Sequence, residues 1–183
     1  MDYLSREGSP ISAELWAKID DAVTSAAKKI LTGRRFISIY GPLGAGIQSI
    51  NVDNISELDE SEGSLSVIKG RTYQHIPLLS QDFSLLWRDL EFSGQMGLPV
   101  DLSSALQAAA QCALKEDELI FLGNEELGYR GLLTEDGTVK LPISDWSKGE
   151  NPFKDISAGL AKFIENGIVG RKALVVSPNL FVQ

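Results

Sequence analysis

Apolar residues recur at three- and four-residue steps in three stretches of the chain, and this spacing predicts three amphipathic helices. The first begins at Ser12, a residue type that caps helices by accepting a backbone N–H bond, and ends at Gly33. The longest lies within 100–124 and is called the spine helix below. The third spans 152–166, with Gly167 placed as a left-handed cap. These helices are expected to form the packing framework.

The spine helix carries many alanines. Asp101 or Ser103 can accept hydrogen bonds from its first free N–H groups. Short side chains let a neighbouring backbone come close, so the pattern predicts a packing element without chemistry of its own. The residues expected to share its buried face are Leu106, Ala109, Ala110 and Ala113.

Alternating or continuous apolar runs predict strands at 34–40, 76–87, 137–143 and 172–177, and 93–99 is expected to be a loop. Between 43 and 73, glycines, short alternations and an acidic cluster are typical of a hairpin. Two strands alone bury too little surface to be stable, so this hairpin needs a partner. The residues leave open a hairpin exposed on a monomer and one that reaches a neighbouring subunit, and they favour the first. The predicted helices and strands together indicate an α+β fold.

Composition narrows the function classes. The chain has 183 residues, 43% of them hydrophobic, and a formal net charge of −8, which gives no basic surface for nucleic acid. No signal peptide and no apolar run long enough for a membrane span is present, so we expect a cytoplasmic protein. The single cysteine, Cys112, sits among alanines and is expected to be a small buried residue.

Candidate chemistry is sparse. His75 is the only histidine, so a multi-histidine metal site is excluded, and Cys112 lacks a CxxC partner. The segment 41–46 has glycines but lacks the Lys-Ser/Thr of a phosphate-binding loop. A catalytic triad would have to combine His75 with one of many serines, and a histidine beside a strand is more often structural. The residues alone indicate a globular protein without a visible active site.

Several short motifs occur in an order that, taken together, is specific. They are Leu15–Asp20, Gly33–Phe36, Gly41-Pro42, Trp87, Val100–Ser104, Glu116–Gly123 and Gly131–Leu133. Through these residues the chain resembles the encapsulins, the linocin-like shell proteins with the HK97-type capsid fold, along its whole length.

The resemblance implies four parts. Residues 1–42 would be the N-terminal arm, helix and strand on the shell interior, and 43–75 the extended E-loop. Residues 76–124 would be the P-domain with the spine helix, and 125–183 the start of the A-domain. In the family the E-loop pairs with a neighbouring subunit. The resemblance therefore favours a hairpin that reaches a neighbouring subunit, whereas the residue pattern alone favours one exposed on a monomer.

The implied function is self-assembly into a hollow icosahedral nanocompartment, with the chain as a structural subunit and not an enzyme. Encapsulins enclose cargo enzymes, commonly peroxidases or ferritin-like proteins, whose C-terminal targeting peptide docks on the inner wall. Candidate cargo contacts are Ile30, Arg34, Phe36 and Ser38, although Phe36 in the core and Arg34 in a surface ion pair are equally good interpretations. No cofactor is required. Some relatives hold flavin against an exposed tryptophan, and Trp87 occupies a comparable place, although a buried packing role is commoner.

One departure from the family concerns length. Family members continue past the position of Gln183, and we expect a second polypeptide to supply the rest of the A-domain and the returning P-domain strands. Two alternatives from other classes stay open. A phage-type capsid subunit would need a basic inner surface, which the acidity disfavours, and a linocin-like bacteriocin or protease would need an activity that depends on His75.

Overall fold

The computed structural model describes residues 5–6, 8–52 and 72–182. The chain divides into two compact units, Met1–Asp117 (unit 1) and Glu118–Gln183 (unit 2). In chain order the elements are α1 (Ala13–Ile30), a 3₁₀ turn (Gly33–Arg35), β1 (Ser49–Asn51), β2 (Tyr73–His75), α2 (Trp87–Met96), α3 (Ser103–Phe121), β3 (Gly123–Asn124), β4 (Tyr129–Arg130), α4 (Asn151–Glu165) and α5 (Pro178–Phe181).

Helix α1 forms as predicted. The Ser12 hydroxyl accepts a hydrogen bond from the Leu15 N–H at 3.2 Å, and the helix ends at Ile30, three residues before Gly33. The segment before the helix is tied to it by Arg6, which donates two hydrogen bonds to the Asp20 carboxylate and lies 4.3 Å above the Trp16 ring. The arm therefore packs along α1 through one guanidinium.

The spine helix is α3, and its start is also as predicted, because the Asp101 carboxylate accepts a bond from the Ser103 N–H at 2.9 Å. The expected buried face is correct for Ala109 and Ala113 and wrong for Leu106, which is 39% exposed. The face that is buried includes Ala105 and Ala108 instead, so the helix is rotated toward its smallest side chains.

The base of the predicted hairpin is confirmed. Strands β1 and β2 pair antiparallel, with Ile50 opposite Gln74, and the Val52 N–H extends the ladder by donating to the Thr72 carbonyl. The predicted acidic cluster, which includes Glu57, and the predicted apolar alternation at Leu65 and Val67 both lie outside the described residues.

Four stretches predicted as strands form none within the parts of the chain that the structure describes. A strand needs a neighbour to complete its hydrogen-bond ladder, and no other segment of the described chain supplies one at 34–40, 76–87, 137–143 or 172–177. Residues 34 and 35 instead belong to the 3₁₀ turn.

The predicted position of Trp87 on a strand is also wrong. Trp87 begins helix α2. Helix α2 also includes residues 93–96 of the predicted loop at 93–99. It stops at Gly97, whose φ of +66° is the left-handed geometry of a helix cap. The short helix α5 begins at Pro178, directly after Ser177.

Unit 2 begins with the last turn of α3. Strands β3 and β4 pair antiparallel, and the chain that follows returns to the helix end, since the Leu132 and Leu133 N–H groups donate to the carbonyls of Ile120 and Phe121. Gly131 is buried at this crossing. Two otherwise unpaired helix carbonyls are thereby satisfied.

Helix α4 confirms the third predicted helix and its cap. Gly167 has φ +68°, its N–H donates to the Ile164 carbonyl, and the Ile168 N–H donates to the Phe163 carbonyl. This pair of bonds is the Schellman arrangement that ends many helices at glycine.

Candidate functional site

A groove of about 450 Å³ lies in unit 1 between helices α1 and α3. We call it the unit 1 groove. Its third wall is the non-helical segment around residues 79–83. The apolar side chains that line it are Val23, Ala27, Leu31, Leu79, Phe83, Ala105, Ala108, Ala109 and Ala113.

The floor of the groove exists because of the alanine stripe of α3. Ala105, Ala108, Ala109 and Ala113 share one face of α3, each is buried, and all four line the groove. A methyl side chain is too short to fill the space between two helices and a third segment, so a channel remains above the stripe. The result is an apolar cleft whose base is formed by alanine methyl groups.

The groove has one charged end. The Arg34 guanidinium donates two hydrogen bonds to the Glu116 carboxylate, at 2.5 Å from Nε and 2.7 Å from Nη2, and both residues line the groove. Because it donates these bonds, the pKa of Arg34 is raised above its ordinary value. Arg34 is therefore a cation held in place by Glu116 through two of its five N–H donors.

The turn that carries Arg34 is held by the next residue of α3. The Asp117 carboxylate accepts hydrogen bonds from the Thr32 N–H at 2.7 Å and the Gly33 N–H at 3.0 Å. Two of the motifs that carry the family resemblance, 33–36 and 116–123, are therefore in direct contact. Their contact fixes the mouth of the unit 1 groove.

The four predicted cargo contacts are placed differently. Arg34 lines the unit 1 groove, whereas Ile30, Phe36 and Ser38 do not. Ile30 is half-buried at the end of α1, and Phe36 is 38% exposed. The role of all four in cargo binding stays a prediction.

The sequence interpretation missed several polar or reactive groups of the groove, namely Thr24, Lys28, Gln81 and Cys112. Thr24 and Lys28 lie four residues apart on α1, and Cys112 adjoins the alanine stripe of α3, so helix periodicity could have found these three. Gln81 lies on the non-helical wall, for which no sequence signal was available.

Trp87 is 73% exposed at the start of α2. An exposed indole offers a stacking face for a flavin ring. The grooves between α1 and α3 and along α4 are lined by other residues of the described chain. Flavin binding stays a prediction.

Catalytic or metal chemistry finds little support in the residues described. His75 is exposed on β2, opposite Ser49, and the imidazole makes no hydrogen bond among the described residues. No group of three histidine, cysteine or acidic side chains within 5–6, 8–52 and 72–182 could hold a metal ion. Among those same residues, no helix is both long and apolar enough to span a membrane.

Comparison with known proteins gives a consistent result. Residues 1–183 match the family described as the encapsulating protein for peroxidase (Linocin_M18). The chain is 38% identical over 190 residues to the type 1 encapsulin shell protein EncA of Myxococcus xanthus, covering all of this chain and 66% of that protein. It is 40% identical over 179 residues to a diheme-cytochrome-encapsulin shell fusion protein of Kuenenia stuttgartiensis, covering 93% of this chain and 49% of that protein.

The fold agrees with a solved structure. A virus-like particle from Pyrococcus furiosus superimposes with a TM-score of 0.52 at 22% identity, covering 81% of this chain and 56% of that chain. The chain spans at most about two thirds of the length of these proteins. The assignment of 1–42, 43–75, 76–124 and 125–183 to the parts of a capsid subunit stays a prediction. The match over all 183 residues nevertheless shows that the chain belongs to the encapsulin family and has the HK97-like capsid fold.

Proposed function

We propose that the chain is a structural subunit of an icosahedral encapsulin nanocompartment that encloses a cargo enzyme. The observation that carries this proposal is the family match over the whole chain, together with relatives named as shell proteins. The exposed apolar side chains support it, because among the described residues Ile19 is the only buried side chain larger than alanine, apart from Ser93. Large exposed apolar surfaces are typical of chains that are covered on assembly.

The unit 1 groove is the proposed docking site for the targeting peptide of the cargo. Its base is apolar and narrow, which suits a peptide that places small or aliphatic side chains against the alanine stripe. Arg34 and Lys28 at its edge are positive charges in a chain that is acidic overall. They would attract backbone carbonyls or a terminal carboxylate of the peptide.

Several further features belong to the same proposal. The hairpin that β1 and β2 begin would pair with a neighbouring subunit. The cargo would be a peroxidase or a ferritin-like protein, flavin would stack on Trp87 if it binds, and the compartment would lie in the cytoplasm.

The sole cysteine gives a direct test of peptide docking. Cys112 lines the unit 1 groove and is partly exposed, so a thiol reagent reports whether the groove is occupied. The probe is a synthetic peptide with the C-terminal residues of a peroxidase that a family member encapsulates. At about ten times its Kd the peptide should slow labelling about tenfold, because only the free fraction reacts. An unchanged labelling rate at saturating peptide would contradict the docking site.

Two neighbouring positions on α1 provide matched variants. Thr24 lines the groove and Ser25 does not, and both side chains are exposed. Thr24→Trp should fill the groove and abolish peptide protection of Cys112, whereas Ser25→Trp should leave it unchanged. Equal effects of the two variants would show that the peptide binds elsewhere.

A further inference from the structure

The stripe of α1 that lines the unit 1 groove continues toward the start of the helix, beyond the groove itself. Val23, Ala27 and Leu31 line the groove at four-residue steps. Asp20 and Trp16 lie three and seven residues before Val23, which places them on the same stripe, although neither lines the groove. A ligand that follows α1 out of the groove toward its first turns would therefore meet Asp20 and then Trp16.

This continuation of the stripe is already occupied by Arg6. Its guanidinium donates hydrogen bonds to both carboxylate oxygens of Asp20, at 2.7 Å from Nη1 and 2.8 Å from Nη2. It also lies 4.3 Å from the centre of the Trp16 ring, which attracts a cation through its face. The Trp16 indole N–H is buried and has no hydrogen-bond partner among the described residues, so the ring offers its face and not its donor. One carboxylate and one aromatic face thus hold one cation.

Arg6 reaches this position because the arm folds back along α1. The Ser9 N–H donates to the Arg6 carbonyl at 3.1 Å, and the Ser9 hydroxyl accepts a hydrogen bond from the Ile11 N–H at 3.2 Å, just before α1 begins. Arg6 and Asp20 are in contact although they are 14 positions apart in the sequence. The arm therefore places its own cation where a ligand leaving the groove along α1 would lie.

The ion pair that holds Arg6 is open to exchange. The Arg6 and Asp20 side chains are 47% and 53% exposed, and ion pairs exposed to this extent are weak because water screens them. A second cation, held nearby by a peptide in the groove, could make the same two contacts in place of Arg6. The arm is therefore an internal competitor for this end of the groove.

We propose that Trp16 and Asp20 form a cation subsite at the end of the unit 1 groove. Arg6 fills the subsite in the free chain, and a basic side chain of the docked peptide takes its place. This inference rests on the function proposed for the groove, in which the terminal carboxylate of the peptide lies toward Arg34. The peptide then runs from Arg34 toward Asp20 as it is followed upstream from its C-terminus.

Helix geometry gives the spacing of the basic residue. From Val23 to Leu31 α1 rises by about 12 Å, and an extended peptide covers that length in about four residues. From Val23 to Asp20 the rise is about 4.5 Å, which corresponds to one or two further residues. The basic side chain should therefore lie one or two residues upstream of the segment that fills the groove.

Two synthetic probes test the subsite. Both contain the last five residues of the peroxidase used for the docking test, preceded by two arginines in one probe and by two alanines in the other. Protection of Cys112 from the thiol reagent gives the Kd of each probe, because Cys112 lines the groove. The quantity compared among proteins is the ratio of the two Kd values, called the arginine preference below.

Arg6→Ala should increase the arginine preference about fivefold or more, because the arginine probe no longer has to displace Arg6. Lys18→Ala is the matched control. It removes the same charge from α1, where Lys18 forms an exposed pair with Glu14 at 2.7 Å, and should change the preference less than about twofold.

Two adjacent carboxylates provide a second matched pair in the Arg6→Ala chain. Asp20 and Asp21 are both exposed, but Asp21 lies about 100° further round the helix, away from the stripe. Adding Asp20→Ala should abolish the increase in arginine preference, whereas adding Asp21→Ala should preserve it.

The outcomes separate the cation subsite from the docking function. Protection of Cys112 by both probes, with the same arginine preference in the wild-type and Arg6→Ala chains, overturns the subsite alone. An increase that Lys18→Ala reproduces would be an effect of net charge and would also overturn the subsite. No protection by either probe in any of these proteins overturns the docking site in the unit 1 groove, and the subsite with it.

Discussion

Units 1 and 2 contain helices of similar amphipathic pattern, but only unit 1 buries side chains on its helices. In unit 1, α1 buries Ile19 and α3 buries four alanines, and the Asp117 bonds join residues 84 and 85 positions apart in sequence. In unit 2, α4 buries none, and the hydrogen bonds at the Gly131 crossing and at Asp155 join residues no more than 12 positions apart. An amphipathic pattern is therefore enough to form a helix locally, whereas burial of the apolar face of that helix requires a second element packed against it.

The largest effect is expected at the crossing that holds unit 2 together. In Gly131→Ala, the new Cβ would lie 2.4 Å from the Gly123 nitrogen and 2.5 Å from the carbonyl carbons of Leu122 and Phe121. These are backbone atoms that cannot move aside cheaply, so the free energy of unfolding should fall by about 3 kcal/mol. Urea denaturation followed by far-UV circular dichroism measures it.

The control is Gly159→Ala in the same unit. A Cβ there meets nothing within 4 Å, and the residue lies inside α4, so stability should rise by about 0.5–1 kcal/mol. If both variants change stability by the same amount and sign, the crossing is not what holds unit 2.

In unit 1, the comparable test removes the two long-range hydrogen bonds that the Asp117 carboxylate accepts. Asp117→Ala leaves the Thr32 and Gly33 N–H groups without their acceptor and should lower stability by about 2 kcal/mol, because hydrogen bonds to a charged group are strong. Asp117→Asn keeps one acceptor oxygen and should lose about half as much. Chemical denaturation compares the two. A loss below that of a typical surface substitution would show that the turn is held by something else.

The adjacent ion pair should matter much less. Arg34 and Glu116 have side chains 50% and 25% exposed, and exposed pairs are screened by water. A double-mutant cycle of Arg34→Ala and Glu116→Ala should give a coupling of about 0.5 kcal/mol that shrinks in high salt. A coupling as large as the Asp117 effect would mean that the pair, and not Asp117, fixes the mouth of the unit 1 groove.

The smallest effect concerns acid stability in unit 2. Hydrogen bonds from the Ser144 N–H, the Ser144 hydroxyl and the Trp146 indole hold the pKa of Asp155 below its ordinary value. The stabilisation is therefore complete above the unfolded-state pKa of about 3.9 and is lost as the pH falls through the lower folded-state pKa.

Trp146 reports this loss. Its fluorescence should be constant from neutral pH down to about pH 4 and change below it. Asp155→Asn should remove that acid-dependent step. A step that persists in the variant must come from another carboxylate.

Local sequence signals predicted helices α1, α3 and α4 and several of their ends. Ser12 and Gly167 are recognisable because capping depends on residues within one turn. Helix α2 was missed because the apolar residues at 83–87 alternate like a strand, whereas the spacing of Leu86 and Leu90 and the Gly97 stop indicated a helix.

The predicted strands failed for a different physical reason. The patterns at 137–143 and 172–177 express strand propensity, but a ladder needs a second strand, and the described chain does not place one beside them. The unit 1 groove was equally hard to predict, since its walls come from α1, α3 and a segment about 20 residues before α3. Of the four predicted contacts only Arg34 lies on it.

Electron microscopy with mass spectrometry on the same chromatographic peak tests the central claim most directly, that this chain is a subunit of an encapsulin shell. The chain should be co-expressed with the unmatched portion of the Myxococcus protein. The account predicts uniform hollow particles in which both masses are found. A small monodisperse species in which this chain occurs alone would contradict it.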